Sequence, residues 1–175
     1  MDLKDYLIDQ AGKDWSRLLA GCDALPPSFT LWLVNRFGDL FIALEDGSIH
    51  MLDVGVGTLK RLAESRDHFC DLLDEDDNAN NWLMIPLVDQ CVASGMHLAP
   101  DQCYNLKMPP LLGGKYSLDN IAPIDLAELY AFRADIFRQI EDVPDATAFR
   151  LAFVKKGDSP KAIALHEPTE IREEN

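Results

Sequence analysis

At 175 residues the chain has the size of one ordinary domain and can bury a core without disulfides or a structural metal. With 47% hydrophobic and 26% charged residues, wholesale disorder is excluded. Sixteen basic residues against thirty acidic ones leave a net charge of -14 and a pI near 4.5. Such a field repels phosphate backbones and anionic lipid, and it speeds the approach of a basic partner.

The opening residues Met1 to Tyr6 lack the basic stretch and apolar run of a secretory signal. No window approaches the roughly 18 uninterrupted apolar residues of a membrane span. Cys22, Cys70, Cys91 and Cys103 are scattered without a C-x-x-C pair, which reads as reduced thiols in a cytoplasmic protein.

In chain order, residues 3–10 and 14–20 read as short helical stretches, ended by Pro26-Pro27. Residues 29–37, 40–44 and 48–54 are rich in aromatic and branched side chains, and they read as an antiparallel meander of about three strands from residue 29 to 54. Asp46-Gly47 suits a two-residue type I′ hairpin turn. Thr58 is expected to cap a helix whose buried face carries Leu59, Leu62, Ala63, Phe69, Cys70 and Leu73. A second helix begins near Pro86 and carries Leu87, Val88, Cys91 and Val92 to a stop at Gly95. Residues 99–115 read as a long irregular connection, and 116–123 as a short strand. Asp125 and Glu128 form a capping-box-like pair before a helix with Leu126, Leu129, Tyr130, Ile136, Phe137 and Ile140 on its apolar stripe. Residues 149–154 suit an edge strand, and the polar tail from Lys155 is expected to be loose. The fold class is therefore α+β, an antiparallel sheet packed with several helices in a single domain.

No catalytic constellation stands out, and the chain is read as non-catalytic. The phosphate-binding, nucleophile-elbow and H-E-x-x-H motifs are missing. His68 and Cys70 point apart on a helix, while His97, Cys103, His50 and His166 lack companion ligands, so neither a metal nor another cofactor is expected. Cys70 sits in the most negative stretch, the opposite of what activates a nucleophilic thiol. That stretch is itself the main candidate site: Asp71, Asp74, Glu75, Asp76 and Asp77 place five carboxylates within seven residues, able to imitate a phosphate backbone for a cationic groove. A solvated helix end is the plainer reading of the same run. The alternative candidate is a small-molecule or enzymatic pocket at the Gly113-Gly114 loop, with Tyr104, Tyr116 and Asn120 nearby. There the plainer reading is a tight turn feeding a strand.

Two strings, residues 32–41 (Trp-Leu-Val-Asn-Arg-Phe-Gly-Asp-Leu-Phe) and 44–53 (Leu-Glu-Asp-Gly-Ser-Ile-His-Met-Leu-Asp), resemble a bacterial domain family. The family is named for the C-terminal part of a type VI secretion immunity protein that neutralises a DNase effector. Residues 82–88, 102–104, 112–116 with Asn120, 130–132, 135–136 and 139–140 extend the resemblance, in consistent order, over about residues 29–141. The opening strands are more loosely similar to Smi/Knr-type immunity proteins. The resemblance implies a protein-binding domain whose partner is a basic toxin such as a nuclease, and it supplies no catalytic residue. It divides the chain into a helical lead-in (1–28), an immunity-like domain (29–143) and a partly flexible extension (144–175). Fewer than thirty residues precede the resembling region, so the separate N-terminal module of the named protein is expected to be absent.

Overall fold

In the computed structural model, β1 (Thr30–Val34), β2 (Leu40–Ala43), β3 (Ile49–Asp53) and β4 (Thr58–Ala63) form one antiparallel sheet in the order β1-β2-β3-β4. The structure describes residues 2–75, 77–140, 149–152 and 161–164. The expected meander is present and one strand longer. Thr58 opens a strand and not a helix, because Leu59 pairs with Leu52 and Arg61 with His50. A bulge opposite the Ile49–His50 step then shifts the alternation. That shift puts Leu59, Leu62 and Ala63 at spacings that imitate a helix face. The hairpin between β2 and β3 also departs from type I′. Leu44 and Ser48 bracket a three-residue loop in which Gly47 has φ 83° and Asp46 has no positive φ. This is the three-residue hairpin with a glycine in the left-handed position.

Both faces of the sheet are covered, which explains why its strands read as nearly continuous apolar runs. On one face Phe41, Ile49 and Ala63 join a cluster with Phe69, Leu83, Leu87, Val88 and Cys91. These come from α2 (Arg66–Leu73), α3 (Asn78–Leu83) and α4 (Ile85–Ala93). Phe69 is its centre, stacked on Trp82 at 5.0 Å and edge-on to Trp32 and Phe41. On the other face Val34, Leu40, Ile42, Leu52 and Val54 pack with Ile8, Leu19, Leu126, Leu129 and Tyr130. Leu19 directly follows α1 (Trp15–Leu18), whose start is capped by the Asp14 carboxylate.

The stretch expected to be irregular holds β5 (Gln102–Leu106), paired with β6 (Ile121–Asp125) as a two-stranded ribbon. Ribbon edges tolerate Pro123, which offers no N–H. The strand expected at 116–123 starts only at Ile121, after a 3-10 turn at Leu118–Asn120. From Asp125 the chain passes directly into α5 (Leu126–Ile140), and the Leu126 N–H donates to the Asp101 carbonyl. The chain divides into two compact units, Met1–Ala134 and Asp135–Asn175. In the second unit β7 (Phe149–Ala152) pairs antiparallel with β8 (Lys161–Ala164). The end of the expected edge strand at 153–154 lies outside the described residues, as does the tail after Lys155 apart from β8. Among the described residues no helix is long and apolar enough to cross a membrane.

Candidate functional site

The acidic run lies at the turn from α2 into α3. Ser65 caps α2 by accepting the His68 N–H at 3.1 Å. Asp71 falls in the last turn of α2, Asp74 and Glu75 follow it, and Asp77 precedes α3. All four are exposed, while Asp76 lies outside the described residues. The Asn78 side chain donates to the Leu72 carbonyl at 2.9 Å, so an amide rather than a cation satisfies that helix end. Among the described residues no ion pair within 4.0 Å includes any of these carboxylates. Their charge is therefore available to a partner, in spite of the unfavourable helix dipole at this end.

A second concentration of polar groups is buried. Among the described residues, Asn35, Asp39, Ser48 and Arg133 are the polar or charged ones that reach core-like burial. Asn35 organises the turn between β1 and β2. Its Oδ1 accepts the N–H groups of Phe37 and Asp39, and its Nδ2 donates to the Asp39 carboxylate at 2.8 Å and to the Trp82 carbonyl at 3.0 Å. Around the same turn, the Val54 N–H donates to Asp39, the Tyr104 N–H to the Arg36 carbonyl, and the Tyr130 hydroxyl to the Gly38 carbonyl. One five-residue turn thus holds β3, α3, β5 and α5 in place.

Beside this turn is a narrow cleft lined by Asp39, Asp53, Tyr104, Asn105, Tyr116 and Arg133, among others. Its cavity volume is about 20 Å³, room for about one water molecule. Burial, reinforced by the nearby Asp53 charge, pushes the Asp39 carboxyl up to about 7, against the donors from Asn35 and Val54. Burial pulls Arg133 down to about 10, opposed by Asp39 and Asp53, and leaves it protonated at neutral pH. Tyr116 at the mouth is half exposed, and partial burial together with the two carboxylates raises its hydroxyl to about 12. Met84, also in the lining, carries the left-handed backbone angle φ 53°, a strained conformation for a side chain of this size.

Of the sequence-stated pocket group, Tyr104 and Tyr116 line this cleft. The Tyr104 hydroxyl is already engaged, donating to the Met96 carbonyl at 2.7 Å. Gly113, Gly114 and Asn120 instead build the adjoining loop. Asn120 accepts the Met108 N–H and donates to the carbonyls of Met108 and Lys115. A Cβ on Gly114 would overlap the Met108 carbonyl, so the loop requires glycine there. Sequence reading missed Asn35, Asp39, Asp53, Asn105 and Arg133. Arg133 did leave a signal, four residues after Leu129 and three after Tyr130, on the apolar stripe of its helix. The thiols of Cys91 and Cys103 are pushed up by burial, Cys103 to about 12, which makes both poor nucleophiles.

Residues 63–137 match the family described as T6SS immunity protein Tdi1, C-terminal. This is the family expected from the resemblance, although the strings at residues 32–41 and 44–53 precede the matched stretch. The matched region runs from the end of β4 into α5. It contains the acidic run, Tyr104, Asn105, Tyr116 and Arg133, while Asn35, Asp39 and Asp53 precede it. No curated protein matches the chain. Among solved structures, the crystal structure of Atu4351 from Agrobacterium tumefaciens is similar with a TM-score of 0.48 and 14% identity. That match covers 94% of this chain and 79% of the other.

Proposed function

We propose that the chain is a non-catalytic immunity protein that binds and neutralises a type VI secretion toxin, and that the toxin is a basic protein such as a nuclease. The match of residues 63–137 to a type VI immunity family carries this reading. Inside that region Asp71, Asp74, Glu75 and Asp77 offer carboxylates that no ion pair among the described residues engages, and Asp76 belongs to the same run. A nuclease must present Lys and Arg to its phosphate substrate, and an inhibitor that offers carboxylates to them gains encounter rate and specificity. The domain doing this work spans residues 29–143, with 1–28 and 144–175 as appendages, and it acts in the cytoplasm. Free thiols at Cys22, Cys70, Cys91 and Cys103 suit that compartment.

The test is capture from a lysate of the source organism on the immobilised chain, eluted with rising salt. The expected result is one basic protein that is toxic when expressed alone and harmless when co-expressed with this chain. Replacing the five carboxylates by Asn or Gln should move its elution to clearly lower salt, since opposed charges lose attraction when one set is removed. Unchanged elution would remove the acidic run from the interface, and a captured protein whose toxicity persists on co-expression would overturn the immunity role.

A further inference from the structure

The four-stranded sheet has one sealed edge and one open edge. Along β1 and the residues after it, the outer groups are taken. The Ile8 N–H donates to the Val34 carbonyl at 2.8 Å, the Arg36 N–H to the Tyr6 carbonyl at 3.1 Å, and the Gln10 side chain to the Trp32 carbonyl at 2.8 Å. β4 ends the sheet on the other side, and among the described residues it pairs with β3 alone. In such a pairing about every second residue turns its N–H and C=O away from the neighbour. Among the described residues no hydrogen bond reaches the outward backbone groups of residues 58–63. Thr58, Lys60 and Arg61 are exposed, so solvent reaches this edge. A row of unpaired backbone groups of this kind is a template for one more strand.

The occupant follows from charge. Three basic residues, Lys60, Arg61 and Arg66, fall within residues 60–66 against one acid, Glu64, in a chain whose net charge is -14. The Arg66 guanidinium lies over the Trp32 ring at 5.1 Å. Lys60 and Arg61 have no ion pair within 4.0 Å among the described residues. As successive strand residues they stand on opposite faces of the sheet, Lys60 across from Met51 and Arg61 across from His50. A second copy of β4, centred on this pair, would set Lys60 against Arg61 and be repelled. An added strand with two adjacent acids would instead meet one cation on each face while its backbone completes the ladder. We propose that the β4 edge receives an extended acidic segment of another protein as a fifth strand. This surface lies at the opposite end of α2 from the acidic run and does not depend on the toxin reading.

The full chain, labelled with 15N, is titrated with acetyl-Thr-Val-Glu-Glu-Val-Thr-amide, with the same peptide carrying Lys-Lys in place of Glu-Glu, and with two versions of the acidic peptide N-methylated on alternate residues. Saturable shifts of the Leu59, Lys60, Arg61 and Leu62 amide signals are expected with the acidic peptide and not with the lysine peptide. One N-methylated version should bind and the other should not, because only one set of N–H groups faces β4. Lys60→Glu combined with Arg61→Glu should weaken the acidic peptide at least about tenfold, since two attractions become repulsions, and should admit the lysine peptide. Both side chains are exposed. If that variant fails to fold, Lys60→Gln with Arg61→Gln should still weaken the acidic peptide about threefold. No saturable shift with the acidic peptide would overturn the proposal. So would equal binding of the lysine peptide, or retention of both N-methylated versions, which would mean ion pairing without strand addition. Shifts of the same signals with protein concentration alone would place a second copy on the edge and overturn it too.

Discussion

The buried carboxyl of Asp39 links the stability of the fold to pH with a sign opposite to that of a surface salt bridge. Its folded value is raised from 3.8 to about 7, because burial disfavours the charged form more than the Asn35 and Val54 donors favour it. The native state therefore holds the proton more tightly than the unfolded chain. Stability from this group is fully present below about pH 4 and is lost as pH rises through 7. At 1.36 kcal/mol per pH unit, a move from 3.8 to about 7 is linked to about 4 kcal/mol in all. About 2.5 kcal/mol of that falls between pH 5 and pH 8. The assay is urea unfolding at both pH values for the wild type and Asp39→Asn, whose side chain does not titrate. Subtracting the two cancels the other carboxylates. With a slope near 2 kcal/mol/M, the wild-type midpoint should fall by about 1 M more than the variant's. Asp39→Asn lowers the baseline, since it sets an NH2 against a donor, but adds no pH dependence. A difference between the two proteins that stays constant within about 0.5 kcal/mol would refute the reasoning.

Asn35→Ala should cost about 4 kcal/mol in chemical denaturation, since it leaves Phe37 N–H, Asp39 N–H, the Asp39 carboxylate and the Trp82 carbonyl short of a buried partner. A loss under about 1 kcal/mol would mean that water replaces Asn35 at the turn. Gly114→Ala should force the loop away from the Met108 carbonyl and release the Asn120 clamp, at about 2 kcal/mol. Amide exchange at Met108 should then accelerate, and unchanged protection there would show that the loop adapts without opening.

The elements that sequence reading placed well are those whose pattern is set locally. Residues 40–44 and 48–54 announce β2 and β3 by composition, and Pro86 with the spacing of Leu87, Val88 and Cys91 announces α4. The failures have physical causes. In β4 a bulge broke the alternation, so three residues on two faces of a strand took helix spacing. The short α3 follows Asp77 without a side-chain capping bond and ends at a left-handed Met84, neither of which leaves the usual boundary signals. β5 carries Tyr104 and Cys103 into the core by pairing with a strand whose partner residues lie about twenty positions away. For the acidic run, charge was legible and exposure was not. For the cleft the reverse held: its tyrosines were named, but the charged groups that give it chemistry were not.

Those charged groups come from distant stretches of the chain, which bears on what the matched region amounts to physically. Arg133, Tyr104 and Asn105 lie within residues 63–137, whereas Asn35 and Asp39 come from the turn between β1 and β2 and Asp53 from the end of β3. Separated from those strands, residues 63–137 would keep a buried-type arginine without its balancing carboxylates. They would also expose the side of Phe69 that Trp32 and Phe41 cover. An unbalanced charge and an uncovered aromatic face are each worth a large part of a typical domain's 5–15 kcal/mol. The matched segment is therefore one part of a folding unit whose other part is the meander, and the cleft marks the seam where the two meet.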